Sequence, residues 1–278
     1  MIYLLLAIIS SALISILMRL SSNKVSGNLS MLAMNYVMCL GLAALFTGGG
    51  GTPVGTPGVG GAVIMGIVNG VLYLLGFVFL QFNVKKNGVV LSTTFMKLGL
   101  LVPMVLSICF FGEIPALWQV IGFVLAVAAI LLINTGEGKA DGGKKATLIF
   151  LLLSCGGADA MSKVYEELGQ APWTEYFLLI TFATALILCG VLVIAKGERP
   201  GKWEILFGLL IGIPNYFSAR FLLRSLEYVS AVIAYPTFSV AGILAATAAG
   251  VFLFRERLVK RQWIAVGIIL AALVLLNI

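Results

Sequence analysis

Thr94 aligns with Thr237, and the same offset of 143 positions pairs Phe95 with Phe238, Gly99 with Gly242, Phe111 with Phe254, Glu113 with Glu256, Gln119 with Gln262 and Asn134 with Asn277. Tyr73 and Tyr216 obey it too. The repeating stretches are hydrophobic segments of membrane-crossing length, so one pattern constrains both the fold class and the topology.

The chain has 278 residues, of which 61% are hydrophobic and 10% charged, with a mean hydropathy of +1.11. Soluble domains carry about 25% charged residues, so this composition reads as an all-α integral membrane protein. A helical span needs about 20 apolar residues, because each residue rises about 1.5 Å and the hydrocarbon layer is about 30 Å thick. The sequence predicts ten spans, approximately Ile2 to Leu20, Leu29 to Phe46, Gly61 to Phe82, Val89 to Phe111, Ala116 to Asn134, Thr147 to Val164, Tyr176 to Ala195, Ile205 to Leu226, Ala231 to Phe254, and Gln262 to Ile278. Residues 1–134 form a first five-span repeat, the polar, Gly-rich stretch 135–146 a linker, and residues 147–278 a second repeat. The Ser21 to Ser30 stretch carries no small-residue cleavage site, so the first segment is read as a retained span.

A formal charge of +7 could suggest a nucleic-acid partner, but most of the 18 basic residues fall in short loops after the odd-numbered spans. That is the pattern that sets orientation in a membrane, and it places both termini outside the cytoplasmic membrane. Five spans per repeat is an odd number, so the two halves must run in opposite directions. Matched loops then swap charge: Gly112, Ile114, Leu117 and Trp118 correspond to Arg255, Arg257, Lys260 and Arg261, while Lys85 and Lys86 correspond to Tyr228 and Val229. The loop Thr47 to Gly60 is uncharged and Gly-rich, and reads as a plain linker or a mobile flap.

Several chemistries are excluded by residue type. There is no His, so no Ser/His dyad forms. Only Asp141 and Asp159 represent Asp, the former in the linker, so no paired-Asp site is expected, and no GxxxxGK[ST] motif binds a nucleotide. Cys39, Cys109, Cys155 and Cys189 lie inside predicted spans without CxxC spacing and read as small buried hydrophobes, leaving no metal-ligand set, cofactor or catalytic residue to assign.

The segments FFGEIPALWQVIGFVLAVAAILLI and FLFRERLVKRQWIAVGIILAALVLLNI close spans four and nine with Gly or Arg before Glu, followed six residues later by Gln and a small-residue helix. With LEYVSA at Leu226 to Ala231, they resemble the EamA-like branch of the drug/metabolite transporter superfamily over nearly the whole length. The resemblance implies a central cavity ringed by spans one, three, four, six, eight and nine, with five and ten outside. It leaves the solute open, since that family carries amino acids, nucleotide sugars, amines and other solutes.

Ionisable residues at membrane depth are costly and mark functional candidates. Lys97 lies deep in span four. Arg220 stands one turn from Tyr216 in span eight, and Asp159 and Lys163 share an i,i+4 face in span six, where an internal pair is expected. That pair is either a structural tie or a solute contact, and Lys163 and Arg220 also lie close enough to span ends to snorkel. Asn69, Tyr73, Asn215, Tyr216 and Tyr235 complete the candidate substrate-binding set. Inverted symmetry would set Tyr73 and Tyr216 on opposite sides of one site, although aromatic packing alone also accounts for them. Pro103, Pro214 and Pro236 interrupt spans as hinges or kinks.

Lys97, Lys163 and Arg220 against Asp159 leave an expected excess of positive charge in the bundle, which favours an anionic or zwitterionic metabolite moved by alternating access in a secondary transporter. An exporter of cationic amphiphiles or amines is the alternative, with a lipid-moving subunit behind it. An enzyme is not expected. The expected partners are a small-molecule substrate and the lipid bilayer, and spans five and ten offer faces for a homodimer.

Overall fold

The computed structural model describes residues 1–22, 24–48, 56–87, 89–134, 145–255 and 259–278. Most of the stretch 135–146, residues 49–55 of the Gly-rich loop, and Glu256 and Arg257 of the second repeat motif lie outside the described residues. Everything described is helix or connection. The elements are α1 (Ile2–Ser21), α2 (Asn28–Phe46), α3 (Val59–Asn87), α4 (Val89–Leu98), α5 (Leu101–Phe110), α6 (Leu117–Asn134), α7 (Lys145–Leu168), α8 (Thr174–Ala195), α9 (Lys202–Leu226), α10 (Ala231–Phe254) and α11 (Lys260–Leu276). A 3₁₀ turn, Ala171–Trp173, precedes α8. Helix is the form expected of such segments, since in hydrocarbon each backbone N–H and C=O must find its partner within the segment.

Among the described residues eight helical stretches are long and apolar enough to cross a membrane, where the sequence predicted ten. The two not among them are the predicted fifth and tenth. Over its described side chains α6 is an apolar helix at Leu117–Leu132. The 17 residues of α11 rise only about 25 Å against a layer of about 30 Å, and Lys260 and Arg261 occupy its first turn.

The predicted fourth segment is not one continuous helix. It breaks between α4 and α5, where Leu100 N–H reaches back to the Lys97 carbonyl (3.4 Å) and Val102 N–H to Gly99 (2.9 Å), three residues instead of four. Pro103 is the cause, because it brings no N–H to the Gly99 carbonyl and so leaves that turn to tighten. A second cause is contact with α7. At Gly156 an added Cβ would run into the Gly99 carbonyl and lie 2.6 Å from Val102, so only glycine admits this approach.

The chain divides into two compact units, each drawing on both sequence halves. Met1–Leu74 with Val164–Ser225 forms the first. In it α2 packs on α8, and Gly208 and Gly212 of α9 lie against Met31, Met34 and Met38 of α2. Gly66 and Gly70 bring α3 onto α8, where a Cβ on Gly70 would stand 2.5 Å from the Thr181 carbonyl. Small residues let helices approach closely where lipid supplies no hydrophobic drive for their association. The N-terminus of α2 is tied by two carboxylates: Glu204 accepts from Ser26 N–H (2.9 Å), Ser26 Oγ (3.1 Å) and Gly27 N–H (3.2 Å), and Glu198 from Ser30 N–H (3.2 Å).

Leu75–Lys163 with Leu226–Ile278 forms the second unit. Its core is Ala126, Ala129, Val240, Ile269 and Ala272, where α6, α10 and α11 meet. The faces of α6 and α11 proposed for a homodimer are thus partly spent on each other.

The 143-residue offset has local counterparts. Gly112 after α5 and its match Arg255 after α10 both adopt left-handed backbone, φ 68° and 55°. Gln119 accepts from Ala116 N–H at 3.0 Å, and its match Gln262 accepts from Val259 N–H at 3.0 Å. Each glutamine reaches back three residues to cap its own helix.

Candidate functional site

The nine candidate residues separate into two sets, one in each unit. Asn69, Tyr73, Asn215, Tyr216 and Arg220 belong to the first unit, and Lys97, Asp159, Lys163 and Tyr235 to the second.

In the first unit the chemistry centres on Glu175, in the first turn of α8. Its Oε1 receives Arg220 Nε at 2.6 Å and Arg220 Nη2 at 2.6 Å, with Arg224 Nη2 at 3.4 Å. Its Oε2 receives the Tyr216 hydroxyl at 2.9 Å. Residues 216, 220 and 224 are one turn apart on α9, so helical spacing alone aligns the three donors. Phe46, the last residue of α2, closes the cluster: the Arg220 guanidinium lies 4.1 Å from its ring centroid and Tyr216 stacks on it at 5.8 Å. Such contacts hold a cation through the ring quadrupole. Arg220 is therefore paired and does not simply snorkel.

Tyr73 and Tyr216 both pack on Phe182 of α8, at centroid distances of 6.0 Å each, so one ring separates the two repeat-related tyrosines. Asn215 donates to Asn35 Oδ1 at 3.1 Å and to Cys39 Sγ at 3.6 Å. The Cys39 thiol in turn donates to Asn35 Oδ1 and to the Gly212 carbonyl, both at 3.3 Å. Asn69 donates to Thr181 Oγ1 at 3.4 Å while its buried Oδ1 has no partner among the described residues.

In the second unit the expected Asp159–Lys163 pair does not form. Lys163, 2% exposed, turns to Glu113 Oε1 at 2.9 Å and lies 5.8 Å from the Phe111 ring centroid. Glu113 Oε2 meanwhile accepts Val232 N–H at 3.1 Å, capping α10, whose N-cap Ser230 makes no side-chain bond. A carboxylate there satisfies an orphan donor and meets the positive end of the helix. Glu113 thus offers Lys163 a carboxylate already fixed by the backbone, which Asp159 does not.

Released from Lys163, Asp159 has Lys97 as its electrostatic partner, and Lys97 has Asp159 with Cys155. Among the described residues no direct ion pair joins them, and both are half-buried. Tyr235 anchors the same turn of α7, its hydroxyl donating to the Asp159 carbonyl at 2.6 Å. Lys97 sits in the last turn of α4, next to the break. The C-terminal end of a half-helix presents carbonyls that favour a cation, and interrupted helices of this kind form solute and ion sites in transporters.

The charge balance differs from the sequence expectation. In the second unit Lys97 and Lys163 face Asp159 and Glu113, which cancels. Arg220 and Arg224 facing Glu175 leave a single positive excess in the first unit. Glu113 and Glu175 escaped a count of intramembrane charges because Glu113 lies in the connection between α5 and α6 and Glu175 in the first turn of α8. The 216/220/224 spacing was visible in the sequence, but the acidic residue opposite it comes from a helix 41 positions away from Tyr216.

The model of the EamA-like transporter family matches residues 1–135 and 146–278. The chain belongs to this family. It is therefore a member of the drug/metabolite transporter superfamily, a multi-pass membrane protein of a family that transports small molecules. An uncharacterized protein of Haemophilus influenzae is 24% identical over 204 residues, covering 71% of this chain and 69% of that protein. A solved structure, described only as the crystal structure of a protein, shares 15% identity with a TM-score of 0.73, covering 99% of this chain and 98% of its own. That likeness is one of fold. Gln119 and Gln262, on which the resemblance to the family partly rests, each cap their own helix.

Proposed function

We propose that this EamA-family protein is a secondary active transporter of a small zwitterionic or anionic metabolite, amino-acid-like in charge, working by alternating access between its two sequence repeats in the cytoplasmic membrane. The observation that carries the reading is Lys97 with Asp159: opposite charges within membrane-crossing helices, half-buried, flanking the Gly99–Gly156 contact, and with no ion pair between them among the described residues. Charges at that depth cost several kcal/mol unless they face water, a partner or a solute. A zwitterion offers an ammonium to Asp159 and a carboxylate to Lys97, and so satisfies both. The orientation with both termini outside belongs to the same proposal and rests on the loop charges.

Counterflow in proteoliposomes, with radiolabelled metabolite pools sorted by charge, tests the reading. Saturable exchange of a zwitterionic or anionic pool is expected, and exchange confined to cationic pools would overturn it.

A second reading has its own observation. An exporter of cationic amphiphiles needs a buried carboxylate not consumed by an ion pair, and among the described residues Asp159 makes none with Lys163 or Lys97. Under that reading Lys97→Gln raises the flux of a cationic pool. Under the first reading it removes the zwitterionic flux.

A further inference from the structure

We propose that Glu175 is a tethered stand-in for a solute's oxyanion, occupying a carboxylate- or phosphate-recognition stripe made by Tyr216, Arg220 and Arg224, and that an incoming oxyanion displaces it. The inference rests on the transporter reading and adds a second recognition site, with a residue that sets its selectivity.

The donors suit an anion. Tyr216, at 0% exposure, and Arg220 are fixed by packing on Phe46, and the three side chains form one row on α9. Glu175 uses that row poorly. Both Arg220 nitrogens and Arg224 converge on Oε1, and Oε2 has only the Tyr216 hydroxyl. A guanidinium binds a carboxylate best with two parallel bonds to two different oxygens, and Glu175 does not provide that arrangement. Among the described residues the set also keeps one positive charge in excess, on the side of the more exposed Arg224. A free carboxylate or phosphate could approach there, take the parallel geometry on Arg220, and leave Glu175 to solvent. Glu175 would then hold the site closed until a competing anion arrives, while Arg220 and Arg224 repel cations.

The test is equilibrium binding to the purified full-length protein, read by calorimetry and by the change in tryptophan fluorescence, to which Trp173, two residues from Glu175, contributes. The probes are acetate and inorganic phosphate, with tetramethylammonium as control, at constant ionic strength. Glu175→Gln should tighten acetate or phosphate by about tenfold relative to wild type, since the internal competitor loses its charge. Adding Arg220→Gln to that variant should abolish the gain. Glu175→Asp, which keeps the charge but shortens the reach, should give an intermediate affinity and serves if the Gln variant fails to fold. No tightening in a folded Glu175 variant, or a gain that survives Arg220→Gln, overturns the proposal. The measurement is repeated in nanodiscs of phosphatidylcholine alone and with one third phosphatidylglycerol. Loss of the acetate effect only with phosphatidylglycerol would assign the stripe to a lipid headgroup and overturn the solute claim. Binding without transport in counterflow would leave this site standing and sink the transporter reading instead.

Discussion

Lys163 and Lys97 lie in the same unit, both within helical spans, and their surroundings are opposite. Lys163 is closed off: Glu113 meets it at 2.9 Å, and that carboxylate is itself fixed by the N-terminus of α10. Lys97 is half-buried with no direct ion pair to Asp159 among the described residues, at the end of a helix that stops one residue later. A buried pair whose partners are fully engaged serves the architecture. A pair left open keeps free energy available for a third party, which under the proposed function is the solute.

Breaking the closed pair should have the largest effect on stability. Glu113→Gln removes the charge that faces the buried Lys163 ammonium and weakens the cap of α10, so thermal unfolding in detergent should show a loss of about 3–5 kcal/mol. Asp159→Asn should change stability far less. Equal losses from the two substitutions would erase the distinction between them.

The next test concerns the glycine that admits the helix break. Gly156→Val drives a side chain into the Gly99 carbonyl and Val102, and should cost about 1–3 kcal/mol by overpacking. Pro103→Ala sharpens the comparison differently. It returns an N–H to the Gly99 carbonyl, so α4 and α5 should fuse as the sequence-matched α10 is continuous, with unchanged or raised stability and several-fold lower exchange. The smallest effect is expected at Arg255, whose left-handed backbone is costly for any residue with a Cβ. Arg255→Gly, copying its match Gly112, should stabilise by about 1 kcal/mol.

Much of this organisation was legible in the sequence because it is periodic or local. Apolar length gave the helices, and the family segments gave the class. The i,i+4 spacing of Tyr216 and Arg220 marked one face of α9, but Arg224, one turn further on, was not among the candidates. The Gln119/Gln262 match pointed to a shared role, although only the structure showed that role to be capping. Partner choice was less legible, since it depends on which helix ends meet. Asp159 and Lys163 satisfy the spacing rule for a pair, yet Lys163 takes a carboxylate 50 residues earlier in the chain that is already held by backbone. The break after Lys97 was hidden too. Pro103 announced a perturbation, but its position depended on Gly156, contributed by another helix.

The most direct test of the account is counterflow of a zwitterionic pool by wild type, Lys97→Gln and Asp159→Asn, each shown to be folded by size-exclusion profile. Loss of saturable exchange in both variants, by at least about tenfold as expected for a buried charge contact to solute, is the predicted result. Undiminished zwitterion exchange in both folded variants would contradict it, and would remove the open Lys97–Asp159 pair from the site.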